Sequence, residues 1–259
     1  PTYYSFNVGD IHYIMMDNTI FRNSGASEGV LGDVQDYSEG LTANEMKWLE
    51  ADLANVPAGS TVFVGMHIQY TGRPSKSSDG SFKFSYAFPA ESRSDIVRLL
   101  EPFNVHFITG HTHVNYTNQI SDKIIEHNIA AVCATWWWTG YYTSNRAHTC
   151  RDGAPGGYKL FDVAEDGSIS WLYKPMMRDA SYQFRVYDLN NCYITRAVFC
   201  PGAKSKVSDE FFSKYAYGYD KSRSDNKLLV NVFDYDEGWT VKAFEGSKEL
   251  KVERVDTYD

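Results

Sequence analysis

Val105-His106-Phe107-Ile108-Thr109-Gly110-His111-Thr112-His113 decides how this chain folds. Four apolar or β-branched positions around His106 make a short strand, a glycine ends it, and two histidines follow at an i,i+2 spacing. Immediately upstream, Ser92 to Leu100 carries Ile96, Val97, Leu99 and Leu100 at helical intervals, and Pro102 closes that helix. Further back, Thr61-Val62-Phe63-Val64-Gly65-Met66 is a second apolar strand, and it too ends in a histidine, His67. Before it, Thr42 caps a helix, with Glu45 completing an S/T-x-x-E box and Met46, Leu49 and Leu53 on the apolar face; the helix stops ahead of Pro57-Ala58-Gly59. Tyr3–Phe6 and Ile11–Met16 are strand-like and hinge at Gly9-Asp10. The order strand, helix, strand, helix, strand predicts two successive β-α-β crossovers and parallel strand pairs.

Working outward, residues 21–40 are rich in Gly, Ser and Asp and read as a surface loop, as do residues 71–85 after His67. Beyond His113 the pattern shortens to β segments at 115–120, 123–127, 130–135, 157–163 and 168–173. A boundary at Lys174-Pro175 precedes aromatic and β-branched runs at 182–187, 193–199, 228–235, 239–244 and 250–255. The stretch 201–227 reads as a long solvated loop. The expected organisation is therefore an α/β unit over 1–175 and a small all-β, sandwich-like unit over 176–259.

Composition narrows the function. The 259 residues are 43% hydrophobic, enough to bury a substantial core, and no run approaches the ~18 apolar residues of a membrane span. A net charge of −8 argues against nucleic acid as a partner, because phosphate backbones demand a basic face. It does not exclude a phosphate ester where a metal supplies the local positive field. The four cysteines lack zinc spacing; Cys133/Cys150 and Cys192/Cys200 are spaced to allow two bridges or to remain as thiols. The chain opens at Pro1 almost directly into a strand pattern, which reads as a fragment or a processed product.

In an α/β sheet ligands gather at the carboxyl edge of the strands. His67 and His111 are both delivered there, and Gly110 is expected to provide the tight turn that lets His111 and His113 point inward. An i,i+2 histidine pair suits two metal ions roughly 3.5–4 Å apart. No carboxylate is expected from a comparable element upstream of His67.

These residues resemble the calcineurin-like metallophosphoesterases, a family that includes the purple acid phosphatases. Gly65-Met66-His67 and Gly110-His111-Thr112-His113 carry the match, with the opening segment Tyr4 to Asp17 and the helix around Trp48-Leu49. Thr135-Trp136-Trp137-Trp138-Thr139-Gly140 and Arg151-Asp152-Gly153 to Tyr158 look like a bacterial secreted branch with an added C-terminal domain, as do Leu229 to Phe233 and Trp239-Thr240-Val241. The resemblance implies the trailing part of an α-β-β-α sandwich, with His67 and His111 on one metal and His113 on the other. It implies two ions (iron, manganese or zinc) that polarise a phosphoryl oxygen and activate water, a small-molecule phosphate mono- or diester as substrate, and a periplasmic or secreted location. The family's Asp-x-His, bridging Asp and Gly-Asn-His-Asp/Glu have no counterpart in place, so its catalytic groups are expected upstream of residue 1, supplied in cis or by a separate polypeptide. This chain alone is then expected to hold metal weakly or not at all and to be inactive.

Asp10-Ile11-His12 spells Asp-x-His but opens a strand, so its side chains belong at the wrong end of the sheet. His106 reads as a packed core histidine and His127 as a surface one. Asp17 reads as a turn acid on the side of the site. Trp137, Trp138, His148 and Asp152 are candidates for a substrate cleft, with at least one indole of the tryptophan run expected in the core. The alternative function is an inactive glycan- or protein-binding module using that aromatic loop and the C-terminal β unit.

Overall fold

A computed structural model describes residues 2–22, 24–28, 30, 32–33, 36–134, 149–199 and 207–257. Elements run β1 Tyr4–Val8, β2 Ile11–Met15, β3 Thr19–Phe21, β4 Tyr37–Glu39, α1 Ala43–Leu53, β5 Thr61–Ile68, β6 Ser75–Lys76, β7 Phe82–Lys83, α2 Ala90–Leu100, β8 Asn104–Gly110, β9 Tyr116–Gln119 and β10 Ile124–Asn128. There follow β11 Gly157–Val163, β12 Ile169–Pro175, β13 Phe184–Asp188, α3 Arg196–Phe199, α4 Asp209–Tyr215, β14 Leu228–Val232, β15 Ala243–Glu245 and β16 Lys248–Leu250. The fold is α/β, as expected.

Six strands form the main sheet in the order β1-β2-β5-β8-β10-β9. Both crossovers take the expected form: β2 pairs parallel with β5 across α1, and β5 pairs parallel with β8 across α2. Helix α1 begins where Thr42 Oγ1 accepts from Glu45 N at 3.2 Å, and the Glu45 carboxylate accepts from the backbone of Asp17 at 2.8 Å. One cap residue thus also fastens the end of β2 to the helix.

Strand alternation gives the sheet two chemically different faces. On the first, Ile14, Val62, Val64, Val105, Phe107 and Ile124 are buried against Leu49, Leu53, Ile96 and Leu100 of the two helices. This is the main hydrophobic core. On the second face a ladder of stacked rings crosses the strands: Phe6 on Tyr13 at 5.1 Å, Tyr13 on Phe63 at 5.4 Å, Phe63 on His106 at 5.1 Å and His106 on His127 at 5.3 Å. The β11–β12 hairpin covers the inner end of that ladder through Phe161 and Trp171, and Phe6 at the outer end is 42% exposed.

The expected loop over 21–40 connects β3 to β4 and takes in β4 itself, and β6 and β7 pair within the expected loop over 71–85. No strand forms in the described part of 130–135; residues 193–199, expected as a strand, contain α3; and α4 lies within the expected loop over 201–227. After Pro175 the strands pair as two separate ribbons, β13–β14 and β15–β16. A second core unites the regions either side of Lys174-Pro175: Cys150, Ala154 and Tyr173 pack with Phe233 and Tyr182. Cys133, Cys150 and Cys192 are free thiols, so Cys133 and Cys150 form no bridge. Cys200, Trp136, Trp137, Trp138 and His148 lie outside the described residues. Among the described residues no helix is long and apolar enough to cross a membrane.

Candidate metal centre

The parallel strands β5 and β8 end side by side, and their histidines meet there. His67 lies where the β5–β8 register shifts between Gly65 and Ile68, and it is exposed while its neighbours Met66 and Ile68 are buried. The alternation of β5 continues past that shift, with Val64, Met66 and Ile68 on the buried face and His67 on the other. Asn18, itself buried, holds the adjoining residue from both sides: its Nδ2 donates to Ile68 O at 2.6 Å, and Ile68 N donates to its Oδ1 at 3.0 Å.

The second histidine segment turns by a different device from the one expected. Left-handed backbone is adopted by His111 (φ 70°) and His113 (φ 57°), while Gly110 ends β8 without it. A side chain at such φ costs about 1–3 kcal/mol and persists where the surroundings over-determine it. Those surroundings are visible. Asn128 of β10 donates through Nδ2 to Thr112 Oγ1 at 2.7 Å and to Val114 O at 2.5 Å, and Arg151 N donates to His113 O at 3.1 Å. Glu126, one turn of alternation earlier and fully buried, accepts from Tyr70 N, Thr71 N and Thr109 Oγ1 at 2.7 Å each, as well as from Thr71 Oγ1. That single carboxylate ties the segment after His67 to the end of β8.

The result is a contact between His67 Nε2 and His111 Nδ1 of 3.2 Å. Two nitrogens bound to one zinc-like ion at 2.0–2.1 Å in tetrahedral geometry stand roughly 3.4 Å apart. The pair therefore fits one edge of a metal's coordination sphere. His113 is close enough to His111 to act on its charge: burial first, then His67 and His113, push the His111 pKa down, and Glu39 opposes them. Among the described residues, no three His, Cys, Asp or Glu side chains converge as a group able to hold an ion.

Two neighbours escaped the sequence reading. Tyr37 and Glu39 are alternate residues of β4, so they share a face, and the hairpin brings both to the histidines. Tyr37 Oη lies 3.5 Å from His111 Nε2, and Glu39 is near enough for its charge to raise the His111 pKa. The period-two signal was present in Tyr37-Ser38-Glu39, but three residues inside a Gly/Ser/Asp-rich stretch are too few to announce a strand.

Other candidates resolve differently. His12 is held by Asn7 Oδ1 at 2.7 Å and Asp52 Oδ2 at 2.8 Å, and it pairs with Val62, far back along the sheet from His67. It is structural, as expected. Asp17 Oδ1 accepts from Thr19 N at 3.4 Å, a turn acid. Asp152, expected at a cleft, turns inward: its carboxylate accepts from Asn115 N at 2.8 Å, Asn115 Nδ2 at 3.1 Å and Ala154 N at 3.2 Å, and burial raises its pKa against those bonds. Its job is to lock the 150–154 turn against the segment after His113.

His127 is the clearest correction. Expected at the surface, it is fully buried, with Lys159 Nζ 3.1 Å from Nδ1 and His106 Nδ1 3.0 Å from Nε2. Lys159 in turn ion-pairs with Asp234 at 2.8 Å, both side chains fully buried. Lys159 supplies a proton to His127 Nδ1, which leaves Nε2 as the protonated nitrogen donating to His106. Burial, then the Lys159 charge, holds His106 down at about 4 and His127 well below the usual histidine range.

Comparison with known proteins adds the following. No curated protein matches the chain. Among solved structures, a dimetal phosphatase from Danio rerio is similar at a TM-score of 0.36 and 12% identity, over 71% of this chain and 56% of that one. This chain thus spans little more than half that protein's length. A family model described as the C terminal of calcineurin-like phosphoesterase matches residues 126–259, beginning at Glu126 just after the histidine segment. The match takes in the end of β10, the Lys159–Asp234 pair and the rest of the chain, and on it the chain belongs to the calcineurin-like phosphoesterase C-terminal family.

Proposed function

We propose that this chain contributes part of the dinuclear metal site of a phosphate mono- or diesterase, with His67 and His111 as ligands to one ion and His113 to the other. The observation that carries the reading is the 3.2 Å approach of His67 Nε2 and His111 Nδ1 at the carboxyl edge of two adjacent parallel strands, in a chain of this family. Bound iron, manganese or zinc would supply positive charge for a phosphoryl oxygen and an activated water. The protein's own part is to hold imidazoles in one orientation, which Asn18, Asn128 and Glu126 do through the backbone on either side of the histidines. Tyr37, on His111 Nε2, holds the ring from its other nitrogen. The remaining carboxylate ligands are supplied by sequence preceding Pro1 or by a partner polypeptide, in a bacterial protein acting in the periplasm or outside the cell.

Titration with Mn²⁺ or Zn²⁺ tests this directly. Weak binding is expected that falls at least tenfold in H67A and H111A, together with p-nitrophenyl phosphate or bis(p-nitrophenyl) phosphate hydrolysis appearing only when the upstream sequence is restored. Stoichiometric tight metal binding with turnover by this chain alone would overturn the partial-site reading. Metal binding indifferent to both histidines would overturn the ligand assignment.

A further inference from the structure

We propose that Arg151 is the residue that grips the phosphoryl oxygens of the substrate at the histidine segment, an inference that rests on the phosphoesterase reading above. Arg151 occupies the second position of a tight turn closed by Gly153 N to Cys150 O at 3.0 Å, and Gly153 (φ 78°) lets the chain leave it. The turn is docked on the candidate site by its own backbone, Arg151 N to His113 O at 3.1 Å. The guanidinium then reaches over the same segment, Nη1 donating a long bond of 3.5 Å to Thr112 O. Nε and Nη2 have no hydrogen-bond partner among the described residues, and the side chain is exposed.

What singles Arg151 out is that no counter-charge meets it among the described residues. The neighbouring carboxylate, Asp152, is committed inward to Asn115 and Ala154. Every other described arginine meets either a carboxylate, as Arg22 meets Asp36 and Arg254 meets Glu237, or an aromatic ring, as Arg93 covers Tyr86. Arg151 meets neither among the described residues. In a chain of net charge −8, an exposed guanidinium that meets no carboxylate among the described residues, over the backbone of Thr112 and His113, is placed for an anion that arrives from solution. Its planar fork matches a phosphoryl group with two parallel N–H···O bonds, and the free Nε and Nη2 are an adjacent pair of such donors.

The test titrates inorganic phosphate, followed by ³¹P NMR and calorimetry, into wild type, R151Q and R151K, each with metal removed and then with Mn²⁺ added. Phosphate affinity is expected to fall about tenfold in R151Q and by an intermediate factor in R151K, which keeps the charge and loses the paired geometry. Mn²⁺ affinity and the urea unfolding midpoint are expected to be the same in all three, since Arg151 is exposed and is not a ligand. Equal phosphate affinity in wild type and R151Q would overturn the proposal, and so would a wild type that binds Mn²⁺ but no phosphate, in either case leaving the metal assignment standing. A wild type that binds no Mn²⁺ yet loses phosphate affinity on R151Q would overturn the metal reading and leave Arg151 in place.

Discussion

Two histidine pairs bridge neighbouring strands of this sheet at nearly the same separation, and they have opposite meanings. His67 and His111 approach to 3.2 Å at the strand ends, and both residues are exposed. His106 and His127 approach to 3.0 Å within the sheet, stacked in parallel at 5.3 Å and closed over by Phe161, Trp171 and the Lys159–Asp234 pair. A proximity of imidazoles is therefore not itself a metal signature. What separates the two is whether the outer nitrogens are already spoken for. Lys159 occupies His127, whereas the groups around His67 and His111 grip mainly the backbone, and among the described residues the contact to an imidazole nitrogen from outside the pair is the long one from Tyr37.

The largest expected effect breaks the buried pair at its charged root. Lys159→Met leaves Asp234 as a buried carboxylate without its cation and should cost about 3–5 kcal/mol, read as a fall in the urea midpoint. Asp234→Asn should behave similarly, and the apolar double replacement Lys159→Met with Asp234→Leu should recover most of the loss. A full loss in the double variant would mean that the pair acts through more than its charges.

Acid should separate the pairs next. The His106 pKa is depressed from 6.5 to about 4 by burial and Lys159. Below pH 6.5 the unfolded chain takes up a proton that the folded chain refuses, so stability falls as pH drops from about 6.5 to 4, by of order 2–3 kcal/mol. His127 is depressed as well and steepens the same loss. His106→Phe, which keeps the ring stack, should flatten that limb in pH-dependent urea melts; an unchanged slope would show that the proton is taken up elsewhere.

The same contrast explains what could be read from residue order. The two crossovers are legible because helix and strand periods alternate cleanly from Ile11 to Thr109, and the capping box at Thr42 and the histidines at the strand ends place His67 and His111 at one edge without any knowledge of partners. His127 was misjudged because its burial is decided by Lys159 of β11 and by Asp234 beyond β14, contacts that leave no local trace. Tyr37 and Glu39 were missed because a three-residue strand carries too little periodicity. Propensity points to Gly110 for the turn at the site, whereas Asn128 and the backbone of Arg151 force it onto His111 and His113 instead.

That last point yields the smallest expected effect, and one of opposite sign. His111 and His113 pay for left-handed backbone that a glycine adopts freely, and His111 is exposed, so its side chain contributes little burial. After the extra chain entropy of glycine is counted, His111→Gly should stabilise the fold by about 0.5–1 kcal/mol while weakening metal binding. His127→Gly should do the reverse, losing several kcal/mol by emptying a buried site and removing one of the acceptors of Lys159. If His111→Gly instead destabilises, the 3.2 Å contact with His67 holds the strand ends together in its own right. The two pairs would then both be structural, and the case for a metal edge at β5 and β8 would lose its main support.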